Sequence, residues 1–162
     1  MKLYPVTAEI LREQGAILLE HVGDGFEKCA FFMIQGDAGK LQSFLEACLR
    51  ENLEEGYADF YYSRLTEEQK ADFRAGLREE ELQVLDRFVQ QEDRIYYPLT
   101  EESLAFLADI TARGWLFSTF YFTKQPCTVW GNYDGNYPVF CHTPEEVQFY
   151  RKLAETCGLQ IF

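Results

Sequence analysis

The chain has 162 residues, of which 47% are hydrophobic and 16% aromatic, and its net charge is −12. This composition excludes a disordered chain, and no apolar run approaches the ~18 residues that a membrane span requires. Because nucleic-acid binding depends on Lys and Arg, so acidic a chain is a poor nucleic-acid binder. We expect the charge to serve solubility, or to accelerate the approach of a basic protein partner.

The first residues and the cysteines indicate the cellular compartment of the protein. "MKLYPVTAEILREQG" lacks the apolar core and small-residue cleavage site of a signal peptide. The five cysteines are odd in number and form no C-x-x-C, which favours free thiols over disulfides or a zinc site. We therefore expect a cytoplasmic protein that uses no metal and no cofactor.

The first third of the chain predicts two helices with one strand between them. Thr7 caps the first helix, which carries apolar residues as far as Val22 and ends at Gly23 and Gly25. "EKCAFFMIQ" is short, apolar and aromatic, as a buried strand is. The second helix has Gly56 at the position after its end, and it has apolar residues at helical spacing: Leu41, Phe44, Leu45, Cys48 and Leu49.

The middle of the chain predicts three more helices. "YADFYYSRL", residues 57–65, is ambiguous between strand and loop. Thr66 and Gln69 have the spacing of a capping box, and Gly76 separates the first of these helices from the second. "TEESLAFLADITARG", residues 100–114, predicts the third helix.

The last third predicts the remaining strands and one helix. "WLFSTFYF" is apolar on both faces and predicts a central strand. A hairpin follows, then a helix from the cap at Thr143 to Gly158, and then the short strand "LQIF". The hairpin strand, this helix and the last strand could form a parallel crossover. The fold class is therefore α+β in a single domain, 1–162, with a mostly antiparallel sheet of about five strands and roughly six helices packed on it.

The stretch "TVWGNYDGNYPVF", residues 128–140, predicts a hairpin that turns at Asp134-Gly135. Opposing residue numbers then sum to 269. Cys127 lies opposite His142 in that register, and Cys127 and Cys141 point to opposite faces, which makes a disulfide between them unfavourable.

Pro138 decides the predicted length of the hairpin loop. A two-residue loop would place Pro138 in a hydrogen-bonded pair that it cannot complete, because proline has no N–H. We therefore predict a four-residue loop, 133–136, and an edge position for the strand 137–142.

The hairpin tip is the first candidate binding site. It combines rings, amides and a carboxylate on a loop that we expect to be exposed, and such loops often carry recognition. Turn chemistry alone explains the Asn, Asp and Gly residues. The candidate binding residues are Tyr133, Asp134, Asn136 and Tyr137.

Catalytic motifs are scarce. Cys127 and His142 could form a nucleophilic pair, but no orienting Asp or Asn is close in sequence. "QGDAGKL" has the wrong spacing for a phosphate-binding loop, so we interpret Asp37 as a helix cap. No His or acidic motif predicts a metal site, and we propose no catalytic residue.

Aromatic residues are the remaining candidates. The chain contains 14 Phe, 10 Tyr and 2 Trp. Most belong in the core, but Tyr61, Tyr62, Tyr96 and Tyr97 fall in predicted loops, where rings could line a pocket.

Three functions remain open from the sequence. The first is a non-enzymatic binding or regulatory protein that contacts a protein partner through its acidic helices and hairpin tip, such as an inhibitor of a basic protein. The alternative is a small-molecule-binding protein or enzyme with an aromatic-lined pocket, with Cys127 and His142 nearby. The third is a structural subunit of an assembly.

Overall fold

The computed structural model describes all 162 residues, which form seven α-helices and one seven-stranded sheet. The helices are α1 (Ala8–Gln14), α2 (Val22–Lys28), α3 (Ala38–Glu51), α4 (Glu67–Ala75), α5 (Glu79–Leu85), α6 (Glu101–Arg113) and α7 (Pro144–Thr156), with a 3-10 turn at Tyr62–Arg64. The strands are β1 (Ala30–Gln35), β2 (Gly56–Asp59), β3 (Tyr96–Pro98), β4 (Phe120–Phe122), β5 (Cys127–Val129), β6 (Tyr137–Cys141) and β7 (Gln160–Ile161). No helix is both long enough and apolar enough to span a bilayer.

The sheet has the strand order β3-β2-β4-β5-β6-β1-β7, and every neighbouring pair is antiparallel. β6 and β7 therefore run in the same direction with β1 between them, and α7 connects them. The predicted α+β class is confirmed, but the predicted counts of five strands and six helices are too low. β2 and β3 are too short to show alternation in sequence. Gly15, with φ of +102°, ends α1, whereas the predicted first helix continued to Val22. A separate helix, α2, begins at Val22 and contains Gly23 and Gly25, where the predicted helix was expected to end.

The two faces of the sheet have different coverings. On the inner face, helices α3, α6 and α7 pack against a continuous core of 33 buried residues. Side chains alternate along each strand, so that Phe120 and Phe122 of β4 lie in this core while Tyr121 between them lies on the outer face. Asp59, Thr128 and other residues of the opposite parity share that outer face.

Residues 1–28, which we call the N-terminal segment, cover part of the outer face. The Thr128 hydroxyl donates a hydrogen bond of 2.7 Å to the carbonyl of Ile17. Gly25 lies so close to the outer face that a Cβ atom there would be 2.5 Å from the ring of Phe140. The backbone N–H of Val6 donates to the carbonyl of Tyr96 at 2.7 Å. The segment thereby forms a wall that stands over the strands.

The hairpin turns at the predicted place but not in the predicted register. Asp134 and Gly135 both have positive φ, +49° and +79°, which is the geometry of a two-residue type I′ turn rather than the predicted four-residue loop. Tyr133 pairs with Asn136 at the tip, whereas Val129 pairs with Val139 in the body. Opposing numbers therefore sum to 269 at the tip and to 268 in the body.

A β-bulge separates these two registers. Gly131 and Asn132 together oppose the single residue Tyr137, one residue more than in regular pairing. Gly131 lies against the backbone of the loop before β4, where a Cβ atom would be 1.9 Å from the carbonyl oxygen of Ser118. Beside the bulge, Pro138 accepts a hydrogen bond from the N–H of Trp130 at 2.9 Å, and the regular ladder of β5 ends there. Pro138 therefore occupies a pair with Trp130 in which only one of the two hydrogen bonds is made, because proline has no N–H.

Two further expectations require correction. The strand 137–142 was expected at an edge, but β6 lies between β5 and β1. Gly56 does not follow the end of α3; it begins β2, where its missing side chain leaves room for Leu49, Leu99 and Phe122.

The helix caps agree with the sequence. Thr66 and Gln69 form the predicted capping box, as do Thr143 and Glu146. Asp37 caps α3 and accepts a hydrogen bond from the N–H of Lys40 at 2.9 Å. This confirms the prediction that Asp37 is a helix cap.

Candidate functional site

A cleft of about 560 Å³ opens between the N-terminal segment and the outer face of the sheet. This volume lies in the range of small-molecule sites. The N-terminal segment contributes Arg12, Leu18, Leu19 and Glu20 to one wall. Five aromatic rings line the cleft: Tyr61, Tyr96, Phe117, Tyr121 and Trp130.

The polar floor of this cleft is formed by strand residues whose side chains alternate onto the outer face of the sheet. Asp59, the last residue of β2, pairs with Tyr96 of β3 and lies on the outer face beside Tyr121 of β4. Its Oδ1 atom accepts a hydrogen bond of 2.8 Å from the N–H of Thr119, and its Oδ2 atom accepts a long one of 3.4 Å from the Tyr121 hydroxyl. The carboxyl group is thus fixed by backbone on one side and by a phenol on the other.

Asp59 is buried at this floor without a cation. Only 5% of the residue is exposed, and none of the protein's eight ion pairs involves it. Burial raises the pKa of Asp59 to about 7, against the lowering effects of the Thr119 N–H, the Tyr121 hydroxyl and the charge of Arg64. The floor of the cleft therefore changes its charge near neutral pH.

Three tyrosines line the cleft together with this carboxyl group, and the hydroxyl of one of them, Tyr121, contacts it. Burial, and secondarily the charge of Asp59, raises the pKa of Tyr61 to about 12 and raises the pKa values of Tyr96 and Tyr121 as well. All three phenols consequently remain protonated at neutral pH and can donate hydrogen bonds. A cluster of titratable groups with shifted pKa values in a cleft is typical of functional sites.

Two of the cleft residues were predicted from the sequence as pocket candidates, and the others were not. Tyr61 and Tyr96 line the cleft, but Tyr62 packs in the core against Phe60, with ring centroids 6.0 Å apart. Tyr97 points to the inner face and donates its hydroxyl to the carbonyl of Val89 at 2.7 Å. The available signal was the parity of "YADFY", which puts Tyr57, Asp59 and Tyr61 on one side of a strand.

The predicted tip residues do not form one surface. Tyr133 and Asp134 are exposed, and Asn136 is half-buried. Tyr137 is buried and belongs to the core of the inner face. Tyr133 instead packs on Phe26 of the N-terminal segment, with ring centroids 5.6 Å apart, and lies near the exposed ring of Phe31.

The prediction that Cys127 lies opposite His142 is wrong, because the body of the hairpin is shifted by one residue from the predicted register. Cys127 lies directly opposite Cys141, on the inner face. His142, the next residue, is exposed. Burial raises the pKa of Cys127 well above its ordinary value, so its thiolate is disfavoured. Neither residue lines the aromatic cleft, and all five thiols are free.

Other hollows in the surface offer less chemistry. One of about 620 Å³ lies between α3, α5 and α6, but its charges are already paired, since Arg113 contacts both Glu81 at 3.1 Å and Asp109 at 2.6 Å. Another of about 370 Å³ is an open groove beside Trp115. No three His, Cys, Asp or Glu side chains are arranged to hold one metal ion.

Comparison with known proteins adds no further indication. No protein-family model matches the chain, and no significant match was found among the curated proteins or the solved structures.

Proposed function

We propose that the protein binds a small molecule in the aromatic cleft. The observation that carries this proposal is a cleft that is lined by five rings and by a buried carboxyl group without an ion-pair partner. Small-molecule sites combine a mostly apolar lining with a few placed polar groups in this way. The ligand would lie against the rings and exchange hydrogen bonds with Asp59 and the tyrosine hydroxyls.

Tryptophan fluorescence can test this function directly. Trp130 lines the cleft and Trp115 does not, so a Trp115→Phe variant leaves Trp130 as the single tryptophan reporter. We expect members of a small-molecule fragment library to change Trp130 emission. Tyr61→Ala should weaken the binding of those hits about tenfold, since one face of the cleft is lost.

Tyr4→Ala is the matched control, because Tyr4 is 62% exposed and lies outside the cleft. It should leave binding unchanged. If no fragment perturbs Trp130, or if Tyr4→Ala weakens the hits as much as Tyr61→Ala does, the proposed function fails. A carboxyl group with a pKa near 7 also suits general acid–base chemistry, so each hit should be checked for turnover.

A protein partner is the second candidate function. The exposed rings of Phe31 and Tyr133, 43% and 36% exposed, lie on either side of Phe26 beside the exposed carboxylate of Asp134. Exposed aromatic clusters are common in interfaces, and the net charge of −12 favours a basic partner over a nucleic acid. The five free thiols support a reducing compartment such as the cytoplasm.

A pull-down tests the partner. Wild type and a Phe31→Ala/Tyr133→Ala variant should recover different protein sets, with Tyr4→Ala as the control for removal of an exposed ring. Tyr137 is left intact because it is buried. Identical recovered sets would remove this candidate.

A further inference from the structure

We infer that the ligand of the cleft is an organic cation that carries an apolar or aromatic group. This inference deepens the proposed function and depends on it. It assigns the class of ligand from the charges and rings of the cleft.

The carboxyl group of Asp59 has no cationic partner in the cleft. A buried carboxylate is costly unless a cation or several hydrogen bonds stabilise it. Asp59 has one short hydrogen bond, from the Thr119 N–H, and no ion-pair partner. The guanidinium of Arg64, whose charge reaches Asp59, lies over the ring of Tyr61, 5.5 Å from its centroid, and forms no ion pair. A ligand ammonium group would supply the missing charge.

The aromatic lining of the cleft also favours a cation. The face of an aromatic ring carries negative electrostatic potential and attracts cations within about 6 Å. Tyr61, Tyr96 and Tyr121 line the cleft with Asp59, and their phenols stay uncharged at neutral pH, so the rings add attraction without adding charge. Only the Tyr121 hydroxyl contacts the carboxylate, through a long hydrogen bond of 3.4 Å. Arg64, which does not line the cleft, lies over the ring of Tyr61 within this distance.

The charged groups that line the cleft carry more negative than positive charge when Asp59 is ionised. The lining contains two carboxyl groups, those of Asp59 and Glu20, and one guanidinium, that of Arg12. Both Glu20 and Arg12 are exposed at the rim. An anionic ligand would approach a chain of net charge −12 and meet Asp59 at the floor. The charges therefore select against carboxylates and phosphates.

The inference predicts how binding depends on pH. Asp59 is ionised above its pKa of about 7 and neutral below it, so cation binding should weaken as the pH falls through 7. The charged and titratable groups that face Asp59 or line the same cleft are Tyr61, Arg64, Tyr96, Tyr121, Arg12 and Glu20. Because burial raises their pKa values, the phenols of Tyr61, Tyr96 and Tyr121 stay protonated through this pH range. Glu20 is exposed.

Three probes with the same ring but different charge test the ligand class: benzylamine, benzyl alcohol and phenylacetate. Their affinities are measured by Trp130 fluorescence in the Trp115→Phe protein. At about pH 8 we expect benzylamine to bind about tenfold more tightly than benzyl alcohol, with phenylacetate weakest. At about pH 6 the advantage of benzylamine should fall several-fold, because Asp59 is then mostly protonated.

Two variants separate the charge from the ring. Asp59→Asn should abolish both the preference for benzylamine and its pH dependence, whereas Asp134→Asn at the exposed hairpin tip should change neither. If Asp59→Asn does not fold, Tyr61→Leu serves instead, because it removes an aromatic face at an exposed position while keeping an apolar side chain. It should reduce benzylamine binding more than benzyl alcohol binding.

The outcomes distinguish this inference from the proposed function. If benzyl alcohol or phenylacetate binds as tightly as benzylamine at about pH 8, the cation inference is overturned while the cleft remains a binding site. If none of the three probes binds but neutral library fragments do, the result is the same. If no compound of any class affects Trp130, the cleft has no ligand and both proposals fall.

Discussion

The carboxyl group of Asp59 occupies a position that disfavours its own charge. It is 5% exposed, and its pKa lies near 7 instead of the ordinary 3.8 because of burial. At pH 7 and above, the folded protein must hold an ionised carboxylate that the unfolded chain would expose to water. Binding sites commonly retain such unfavourable groups where they serve a ligand.

This raised pKa predicts a pH-dependent stability. Below about pH 4 the group is protonated in both states and costs nothing. As the pH rises from there to about 7, only the unfolded chain ionises, so the free energy of unfolding falls by up to about 4 kcal/mol. Asp59→Asn should therefore become progressively more stable relative to wild type as the pH rises from about 4 to about 8. Urea unfolding at several pH values measures this, and Asp134→Asn should show no such trend. Parallel stability curves for Asp59→Asn and wild type would contradict the assigned pKa.

The five thiols differ in how accessible they are to reagents. Cys29 and Cys157 are half-buried, whereas Cys48, Cys127 and Cys141 are fully buried, and burial raises the pKa values of Cys48 and Cys127 well above the ordinary value. Because alkylation needs an accessible thiolate, iodoacetamide should modify Cys29 and Cys157 in the native protein and the other three only after unfolding. Peptide mass mapping measures this. Rapid native alkylation of Cys127 would restore it as a candidate nucleophile.

The β-bulge in the hairpin between β5 and β6 depends on one glycine, Gly131. A Cβ atom at Gly131 would lie 1.9 Å from the Ser118 carbonyl oxygen, a backbone atom that cannot move independently. Gly131→Ala should lower the free energy of unfolding by about 2–4 kcal/mol, as backbone displacement in a packed region does. Trp130 emission should also shift, because the bulge positions that ring.

Gly23→Ala in α2 is the control, since nothing lies within 4 Å of its added carbon, and it should be neutral or stabilising by up to about 1 kcal/mol. Equal losses in the two variants would argue against the contact with Ser118.

The elements also show which features the sequence can predict. Caps such as Thr66 with Gln69, or Asp37 before α3, act within one helical turn, and so the helices were largely predicted. The hairpin register was not, because the bulge at Gly131 arises from contact with a loop outside the hairpin. Asp59 was missed for the same reason. Nothing adjacent in sequence buries it; the wall that closes over it comes from residues 12–20.

The whole molecule carries an excess of acids, 27 against 15 bases, and its eight ion pairs leave many carboxylates unpaired. Repulsion between like charges destabilises the compact state and is weakened by salt. We therefore expect the melting temperature to rise when sodium chloride is increased from about 10 mM to about 150 mM, which shortens the screening length from roughly 30 Å to roughly 8 Å. Potassium chloride should give the same rise. A melting temperature that falls with either salt would mean that attractive surface pairs outweigh the repulsion.

The wall and the floor of the cleft come from distant parts of the chain. The hydrogen bond from Thr128 to the carbonyl of Ile17 joins residues 111 positions apart and secures the N-terminal segment over the strands. Such long-range closures carry a high entropic cost and tend to form late in folding. A chain that emerges from the ribosome N-terminus first would hold residues 12–20 ready long before Trp130 is synthesised. The cleft therefore cannot form before residue 132 has been synthesised, and occupancy by a ligand would report that the N-terminal segment has docked on the strands.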